Sequence, residues 1–405
     1  MKSVLLFASL LAISFTQNIT LEVNSEPTFL LASDGQSDIY YGPIKQYLKS
    51  AANNSLERFV DVNELKELVV NLKFKPTAME YCYMSQILYV CMGESSGDGE
   101  NDGFIAAFKL KNEDGKTLTV KTAPDVYTIR PVHKDKEVYM RCNGKAGGSS
   151  MKLDKFGNLI FLARDGQGIM KIPHHDLDLV FNLPPRPQLS NLRINVTCED
   201  VYTSDSTQYA TDIQGITIER EYLYWTNNLT GSDANHTSAV AKAFVEPFIK
   251  QIPLQTFQVT SDIGAGAVSA NSAFLFFQIG ETIQGINKHG YTSLYFNLGI
   301  PMNNLTSIVT YRDDLIFTIE NGALTYLDVS HLSFNVQNPQ QPVSVVKKGM
   351  IFNMLPNGMK IDSIVVAAKE QGHAVSAFIE ENNGMIVKAS IFLSAAVLLI
   401  CNYLI

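Results

Sequence analysis

Basic charge is scarce in this 405-residue chain, in which 32 lysines and arginines stand against 40 acidic residues. Binding to nucleic acid needs clustered Lys and Arg for the phosphates, and the sequence has no such cluster, which argues against a nucleic-acid partner. The chain also lacks a Gly-x-Ser-x-Gly elbow, a His-Glu-x-x-His motif, a phosphate-binding glycine loop and a dinucleotide fingerprint. Their absence weakens the case for an enzyme without excluding one, because catalytic acids can also come from distant loops that form no local motif.

Charged residues make up only 18% of the sequence, whereas 46% is hydrophobic and 10% is aromatic. This composition excludes a disordered chain, because there is ample apolar surface to bury. The length fits one large all-β domain or two to three ordinary domains. Much of the hydrophobic excess lies at the two ends of the chain.

The first sixteen residues have the pattern of a secretory signal peptide. Lys2 is followed by an apolar run from Val4 to Phe15, with small residues at Ser14 and Thr16. A short basic region, an apolar core and a small-residue cleavage site are the three parts of such a signal. The sequence predicts removal of residues 1–16 and passage through the secretory pathway.

The last residues, Ala389 to Ile405, form a second apolar run with no basic cluster after it. Seventeen residues are marginal for a membrane-spanning helix, which needs about 20. Asn382, Asn383 and Gly384 are three small residues in the place of a GPI attachment site. The sequence therefore favours residues 384–405 as a GPI-attachment signal over a short transmembrane tail, with residues 17–383 as a single ectodomain.

Acceptor triplets for N-glycosylation are spread along the chain. A used triplet marks the surface of a secreted protein, because a glycan cannot lie in a core. The pattern predicts a glycoprotein whose mature chain faces the cell exterior. The six triplets begin at Asn18, Asn53, Asn195, Asn228, Asn235 and Asn304.

Of the five cysteines, Cys401 lies in the C-terminal run, which leaves Cys82, Cys91, Cys142 and Cys198. An even number in an oxidising compartment predicts two disulfides, with three possible connectivities. Cys82 and Cys91 flank an apparent hairpin and could face each other across it, which would leave Cys142 to pair with Cys198. The spacing gives no zinc site.

The most informative internal feature is a repeated unit of apolar strand, polar turn and apolar strand. Its centres recur every 40 to 70 residues, which is typical of a β-propeller built from four-stranded blades. Seven copies predict seven blades, or six if the first and last copies share one closing blade. The copies are Phe29–Tyr41, Leu88–Phe108, Ile160–Ile172, Tyr222–Ala241, Phe274–Ile283, Leu315–Tyr326 and Ile364–Val375.

The longer intervals between copies have room for insertions. One holds a short helical insertion near 60–72, where Leu65, Leu68, Val69 and Leu72 fall on one helical face. Another has an extra hairpin around residues 133–136.

One blade carries a family resemblance. The segment Gly215 to Asn227, with Tyr224-Trp225-Thr226 at its centre, resembles the strand pair of low-density-lipoprotein-receptor-type (YWTD) propellers. Gly285 to Gly290 resembles an element that ends such a blade and is also found in NHL-type propellers. The resemblance is specific at this one blade, where Asn227 replaces the family's Asp. It implies a propeller fold and a habit of binding protein ligands on one face, and it implies no catalytic residues.

The turns of the repeated hairpins are rich in carboxylates and amides and are predicted to share one face of the ring. A ring of carboxylates could bind Ca²⁺, which takes six to eight oxygen ligands, or attract a basic partner. The competing explanation is that Asp, Asn and Gly favour turns for backbone reasons. The candidate calcium ligands are Asp34, Asp165, Glu320 and Glu370.

Two further features have simple structural interpretations. The segment His174-His175-Asp176-Leu177-Asp178 is dense in metal-capable side chains, but a solvated loop after Pro173 explains it better. Trp225, the only tryptophan, falls within a strand and is predicted to be in the core.

The sequence as a whole predicts a membrane-anchored, N-glycosylated propeller at the cell surface, which binds an extracellular protein or neighbouring copies of itself. The alternative is a secreted propeller hydrolase or lyase with Ca²⁺ in its central channel.

Overall fold

The computed structural model of the chain describes residues 29–36, 38–43, 66–69, 75–82, 85–93, 103–112, 118–120, 126–142, 150–163, 168–181, 193–203, 212–229, 237–246, 255–260, 265–288, 295–311, 313–330, 332, 334–335, 338–342 and 347–367. These residues form six four-stranded antiparallel units, one of which is extended by further strands, together with one short hairpin and one helix.

Blade 1 is built from both ends of the described chain. Its strands, in order outward from the central axis, are β29 (Ser363–Ala367), β1 (Phe29–Ser33), β2 (Ile39–Pro43) and β3 (Lys66–Val69). Phe29 pairs with Ala367 and Ser33 with Ser363. The first and last hairpins of the sequence therefore share one blade, which confirms the six-bladed alternative.

The other five blades each use consecutive parts of the chain. Blade 2 contains β4 (Lys75–Cys82), β5 (Ile87–Gly93), β6 (Phe104–Asn112) and β8 (Val126–His133), with β7 (Leu118–Val120), β9 (Lys136–Glu137) and β13 (Arg193–Thr197) as additions. Blade 3 contains β10 (Met151–Leu153), β11 (Leu159–Leu162), β12 (Gly168–Ile172) and β14 (Glu199–Thr203), with helix α1 (His174–Phe181) between its last two strands.

Blades 4 to 6 complete the ring. Blade 4 contains β15 (Ile213–Glu219), β16 (Tyr222–Leu229), β17 (Thr237–Phe244) and β18 (Gln255–Thr260). Blade 5 contains β19 (Ala265–Ala270), β20 (Phe274–Ile279), β21 (Thr282–Asn287) and β22 (Tyr295–Pro301). Blade 6 contains β23 (Leu305–Tyr311), β24 (Leu315–Glu320), β25 (Ala323–Asp328) and β28 (Lys347–Phe352), and its last connection carries the hairpin of β26 (Phe334–Asn335) and β27 (Asn338–Pro342).

The first strands of the six blades contact one another in a closed cycle, in the order β29, β4, β10, β15, β19, β23 and back to β29. A hydrophobic cluster fills each of the six spaces between neighbouring blades. In β1, Leu30 packs toward blade 6 and Leu31 toward blade 2, so both faces of the strand are buried. This explains why the second strands read as continuous apolar runs rather than alternating ones.

The helical insertion expected near 60–72 is wrong where the structure describes it, since residues 66–69 form strand β3 against β2. Residues 60–65 and 70–72 lie outside the described residues. The extra hairpin at 133–136 is confirmed. His133 pairs with Lys136 across a two-residue turn in which Lys134 and Asp135 both have positive φ, as a type I′ turn requires.

The structure has a disulfide, but it joins Cys91 to Cys142. Cys82 and Cys91 do not face each other, because the register pairs Cys82 with Ile87 and Cys91 with Ala78. Met140, two residues before Cys142, bridges Gly103 in blade 2 and Ala163 in blade 3. The bond therefore ties the crossing between two blades to the second strand of blade 2.

Cys82 and Cys198 are buried free thiols, so the expected second disulfide is wrong. Through the ladder of blade 2, Tyr81 beside Cys82 lies level with Val126, at one end of β8. The amide of Cys198 donates to the carbonyl of Val132 near the other end of that strand, about 20 Å away along the sheet. Burial raises the pKa of the Cys198 thiol to about 12.

Candidate functional site

The second strand of every blade ends, and the third strand begins, at one face of the ring, which is called the upper face here. The connections from each fourth strand to the next blade reach the same face, because successive strands are antiparallel. The described turns of blades 1, 5 and 6 therefore lie on the same face, as expected, and the strands of blades 2 to 4 have the same orientation. The last copy differs where the structure describes it, because residues 364–367 belong to β29, an innermost strand whose C-terminal end lies at the opposite face. Residues 368–375 lie outside the described residues.

Asp34 lies in the upper-face turn of blade 1 and is almost fully buried. Its Oδ1 accepts hydrogen bonds from the backbone amides of Gln36 (2.8 Å) and Asp38 (3.0 Å), and its Oδ2 accepts one from Asn357 Nδ2 (3.0 Å). The carboxylate therefore organises its own turn and links it to the loop that enters from blade 6.

Asp362 lies against this turn and was not singled out from the sequence. A Cβ on Gly35, whose φ is +64°, would lie 2.7 Å from the Asp362 side chain, so the close approach requires glycine there. Burial, and then the nearby Asp34, raise the pKa of Asp362 to about 6, against a smaller opposite effect of Lys75. An aspartate directly before a strand carries no sequence pattern that would reveal this environment.

Glu320 lies at the corresponding turn of blade 6 and is nearly buried. Its Oε1 accepts a hydrogen bond from the Asn303 amide at 2.8 Å, and its Oε2 pairs with Lys348 Nζ at 2.5 Å. Both partners lie in the same blade or in the loop that enters it. Glu320 thus holds the upper edge of blade 6 together.

Of the four candidate calcium ligands, the structure places Asp34 and Glu320 on the upper face of adjacent blades. Asp165 and Glu370 lie outside the described residues. Within the described part of the chain, no three His, Cys, Asp or Glu side chains gather as a metal-binding group would. The calcium site stays a prediction.

Polar side chains near the upper ends of the second strands make hydrogen bonds to the first strand of the next blade. Ser33 Oγ donates to the Pro76 carbonyl and Thr226 Oγ1 to the Gly266 carbonyl, each at 2.6 Å. Gln278 Nε2 donates to the Leu305 carbonyl at 3.0 Å. These bonds join neighbouring blades next to the central axis, and no pattern in the sequence marks Thr226 or Gln278 for this role.

The Tyr-Trp-Thr segment has its expected place in blade 4. Ile216 pairs with Trp225 and Gly215 with Thr226 in the β15–β16 ladder. Trp225 is fully buried, as predicted, and its ring lies 5.0 Å from that of Tyr202 in blade 3. Trp225 thus packs against blade 3, whereas the neighbouring Thr226 donates its hydrogen bond to blade 5.

The histidine pair does not lie in a loop, because residues 174–181 form helix α1 directly after Pro173. His174 Nε2 lies 3.3 Å from Asp178 Oδ2 one turn later, and His175 Nε2 lies 3.4 Å from Asp176 Oδ1. The helix forms because Leu177 and Val180 are buried against blades 2 and 3. The metal-capable side chains are therefore the outer face of a docked helix.

Two of the six acceptor asparagines have side chains that the structure describes, and both are exposed. Asn195 lies on β13, the added outer strand of blade 2, and Asn304 lies in the upper-face connection between blades 5 and 6. The Nδ2 of Asn304 donates to Asn321 Oδ1 at 2.7 Å. Asn18, Asn53 and Asn235 lie outside the described residues, and Asn228 lies on β16.

The predicted terminal segments, including Asn382 and Asn383, lie outside the described residues. In the part of the chain that the structure describes, no helix has the length and apolar character needed to span a membrane.

No protein-family model matches the chain, and the comparison with curated proteins gave no match. The solved structures similar to this fold include a chain of the nidogen/laminin complex, with 10% identity, a TM-score of 0.48, and coverage of 84% of this chain and 98% of that one. Virginiamycin B lyase from Staphylococcus aureus has 12% identity, a TM-score of 0.35, and coverage of 69% and 85%. A glucose dehydrogenase has 10% identity, a TM-score of 0.39, and coverage of 73% and 93%.

Proposed function

We propose that this chain is a membrane-anchored, N-glycosylated cell-surface propeller that binds a protein partner, either an extracellular ligand or a neighbouring copy. The observation that carries the proposal is the use of the upper-face carboxylates Asp34 and Glu320. Both are engaged by backbone amides and side chains that fix the shape of their turns. A rigid face of shaped turns suits recognition of a protein surface.

Exposure of Asn195 and Asn304 supports glycosylation, because each acceptor side chain is accessible. The two positions lie on different parts of the ring, one at the rim of blade 2 and one on the upper face. A glycan at Asn304 would cover the junction of blades 5 and 6, which directs the partner toward the remaining upper-face turns. Among the described residues, no observation favours the hydrolase or lyase alternative.

Location and anchor can be tested on cells that express the full chain. We expect surface biotinylation to label it, peptide N-glycosidase F to increase its mobility, and phosphatidylinositol-specific phospholipase C to release it. If the phospholipase leaves it on the cells while truncation at Asn383 releases it, a transmembrane tail replaces the lipid anchor. Failure of surface labelling would contradict the proposal.

Partner binding can be tested with the released protein. We expect saturable binding to cells that is lost when their surface proteins are removed by trypsin, or concentration-dependent self-association in sedimentation experiments. An Asn357→Ala variant, which loosens the blade 1 turn, should weaken binding more than Lys155→Ala in the turn between the first two strands of blade 3, on the opposite face of the ring. If the released protein shows neither cell binding nor self-association, the face has no protein partner and the proposal is wrong.

A further inference from the structure

The face opposite the upper face, called the lower face here, receives both ends of the described chain. Phe29 at the start of β1 pairs with Ala367 at the end of β29, at the end of the blade away from the Asp34 turn. In every blade the first and third strands end on this same side, and the second and fourth strands begin there. The chain therefore leaves the propeller from its lower face on the way to residue 405.

Phe156 projects from a lower-face turn of blade 3 with 51% of its surface exposed. The turn is rigid, since buried Asp154 accepts hydrogen bonds through Oδ1 from the amides of Phe156 (2.8 Å) and Asn158 (2.9 Å). Asn158 Nδ2 donates to Asp154 Oδ2 at 2.7 Å. These hydrogen bonds fix the conformation of the turn and so hold the Phe156 side chain in its exposed position.

Helix α1 is attached to the Phe156 turn. The backbone amide of His174 donates to Asn158 Oδ1 at 2.8 Å, so the start of the helix is bonded to the Phe156 turn. Leu177 and Val180 face the core, whereas Leu179 is 63% exposed. The turn and the helix, which are hydrogen-bonded to each other, thus expose two apolar side chains, Phe156 and Leu179.

The charges around these two side chains are of both signs. Lys155 Nζ lies 4.9 Å from the centroid of the Phe156 ring, and the helix carries Asp176 and Asp178. A surface of mixed charge with protruding apolar groups suits a zwitterionic lipid surface, where apolar side chains enter the interface and no strong field is needed.

We propose that the lower face, through Phe156 and Leu179, rests on the outer leaflet of the membrane to which the chain is anchored. The inference rests on the proposed function, because it requires the C-terminal anchor. Only residues 368–383 separate β29 from the predicted attachment site, a distance of at most about 55 Å when fully extended. The upper face then points away from the cell toward its partner.

The test uses the full chain reconstituted into phosphatidylcholine vesicles with brominated acyl chains, which quench nearby tryptophan. Phe156→Trp and Leu179→Trp report the lower face. Met354→Trp is the matched control, because Met354 is 49% exposed in the loop whose Asn357 contacts the Asp34 turn on the upper face. The natural Trp225 is fully buried and supplies a background common to all variants.

We expect the bromines to quench the added tryptophan of Phe156→Trp and Leu179→Trp at least threefold more than that of Met354→Trp. Vesicle flotation with equal quenching in all three variants overturns the lower-face contact and leaves the anchor intact. Failure of the chain to float with vesicles overturns both. A dimer in vesicle-free solution that dissociates in Phe156→Ser would assign this face to a second copy instead.

Discussion

The backbone amide of Asp362 donates a hydrogen bond to the carbonyl oxygen of Ser33 at 2.8 Å. This contact joins the residue before the last described strand to the end of the first, at the point where the ring closes. Ser33 Oγ also donates to the Pro76 carbonyl, so the blade that closes the ring is hydrogen-bonded directly to blade 2. Because the two ends of the described chain meet here, any change in the environment of Asp362 acts on the integrity of the whole ring.

Stability should fall as the pH rises through the titration range of Asp362. Its pKa is about 6 in the folded state and near 3.8 when unfolded, so the folded state binds the proton more tightly. The contribution of Asp362 to the free energy of unfolding is therefore most favourable below about pH 4, falls between pH 4 and 6, and stays at its lowest above that range. Asp362→Asn should remove up to about 3 kcal/mol of this pH-dependent loss.

This prediction is checked by denaturant unfolding of the full chain at pH 4, 5, 6 and 7. Asp362→Asn should flatten the curve, while Asp135→Asn, an exposed aspartate in the β8–β9 turn, should keep the wild-type slope. A wild-type protein that gains stability between pH 5 and 7, with no change in Asp362→Asn, would contradict the assignment.

The repeated hairpins predicted the propeller because their apolar strands are buried on both sides, which is a local property of each segment. The count of six required the pairing of β1 with β29, a contact between the ends that periodicity cannot show. The same limit explains residues 66–69. Leu68 and Val69 fit a helical face, but Tyr40 and Tyr41 of β2 need a fourth strand as a partner.

The disulfide shows the same division between local pattern and distant contact. The flanking positions of Cys82 and Cys91 suggested a bond across the hairpin, whereas the register places neither opposite the other. Cys142 reaches Cys91 only because residues 140–142 cross between blades 2 and 3. In the candidate site, the shared upper face could be predicted from the repeats, but the partners of Asp34 and Glu320 could not.

Loss of the Cys91–Cys142 bond should destabilise the protein by about 4 kcal/mol, because it closes a loop with a sequence separation of 51 residues. Cys91→Ala and Cys142→Ala should give similar losses, and the double variant should add little. Cys82→Ala and Cys198→Ala are the controls and should cost about 1 kcal/mol each, from the small cavity left behind. Peptide mapping without reductant that links Cys82 to Cys91 would refute this connectivity.

Thr226→Val should destabilise the junction of blades 4 and 5 by about 1–2 kcal/mol. The substitution keeps the shape of this fully buried side chain but removes the hydroxyl that donates to the Gly266 carbonyl at 2.6 Å. Thr226→Ser keeps the hydroxyl and should cost less, from the loss of one methyl group. Equal losses in the two variants, measured by urea unfolding, would show that packing rather than the hydrogen bond matters here.

Glu320→Gln should cost about 1 kcal/mol whether calcium is present or chelated. The amide oxygen can still accept from the Asn303 amide, while the ion pair with partly exposed Lys348 is lost and solvent already weakens that pair. Lys348→Met should give a similar loss, and the double variant should be less destabilised than the sum of the two, since both substitutions remove one interaction. Thermal unfolding in EDTA and in millimolar calcium separates this structural role from a metal site. If calcium raises the midpoint of the wild type but not of Glu320→Gln and Asp34→Asn, these carboxylates bind the metal, and the purely structural account of the upper-face turns is wrong.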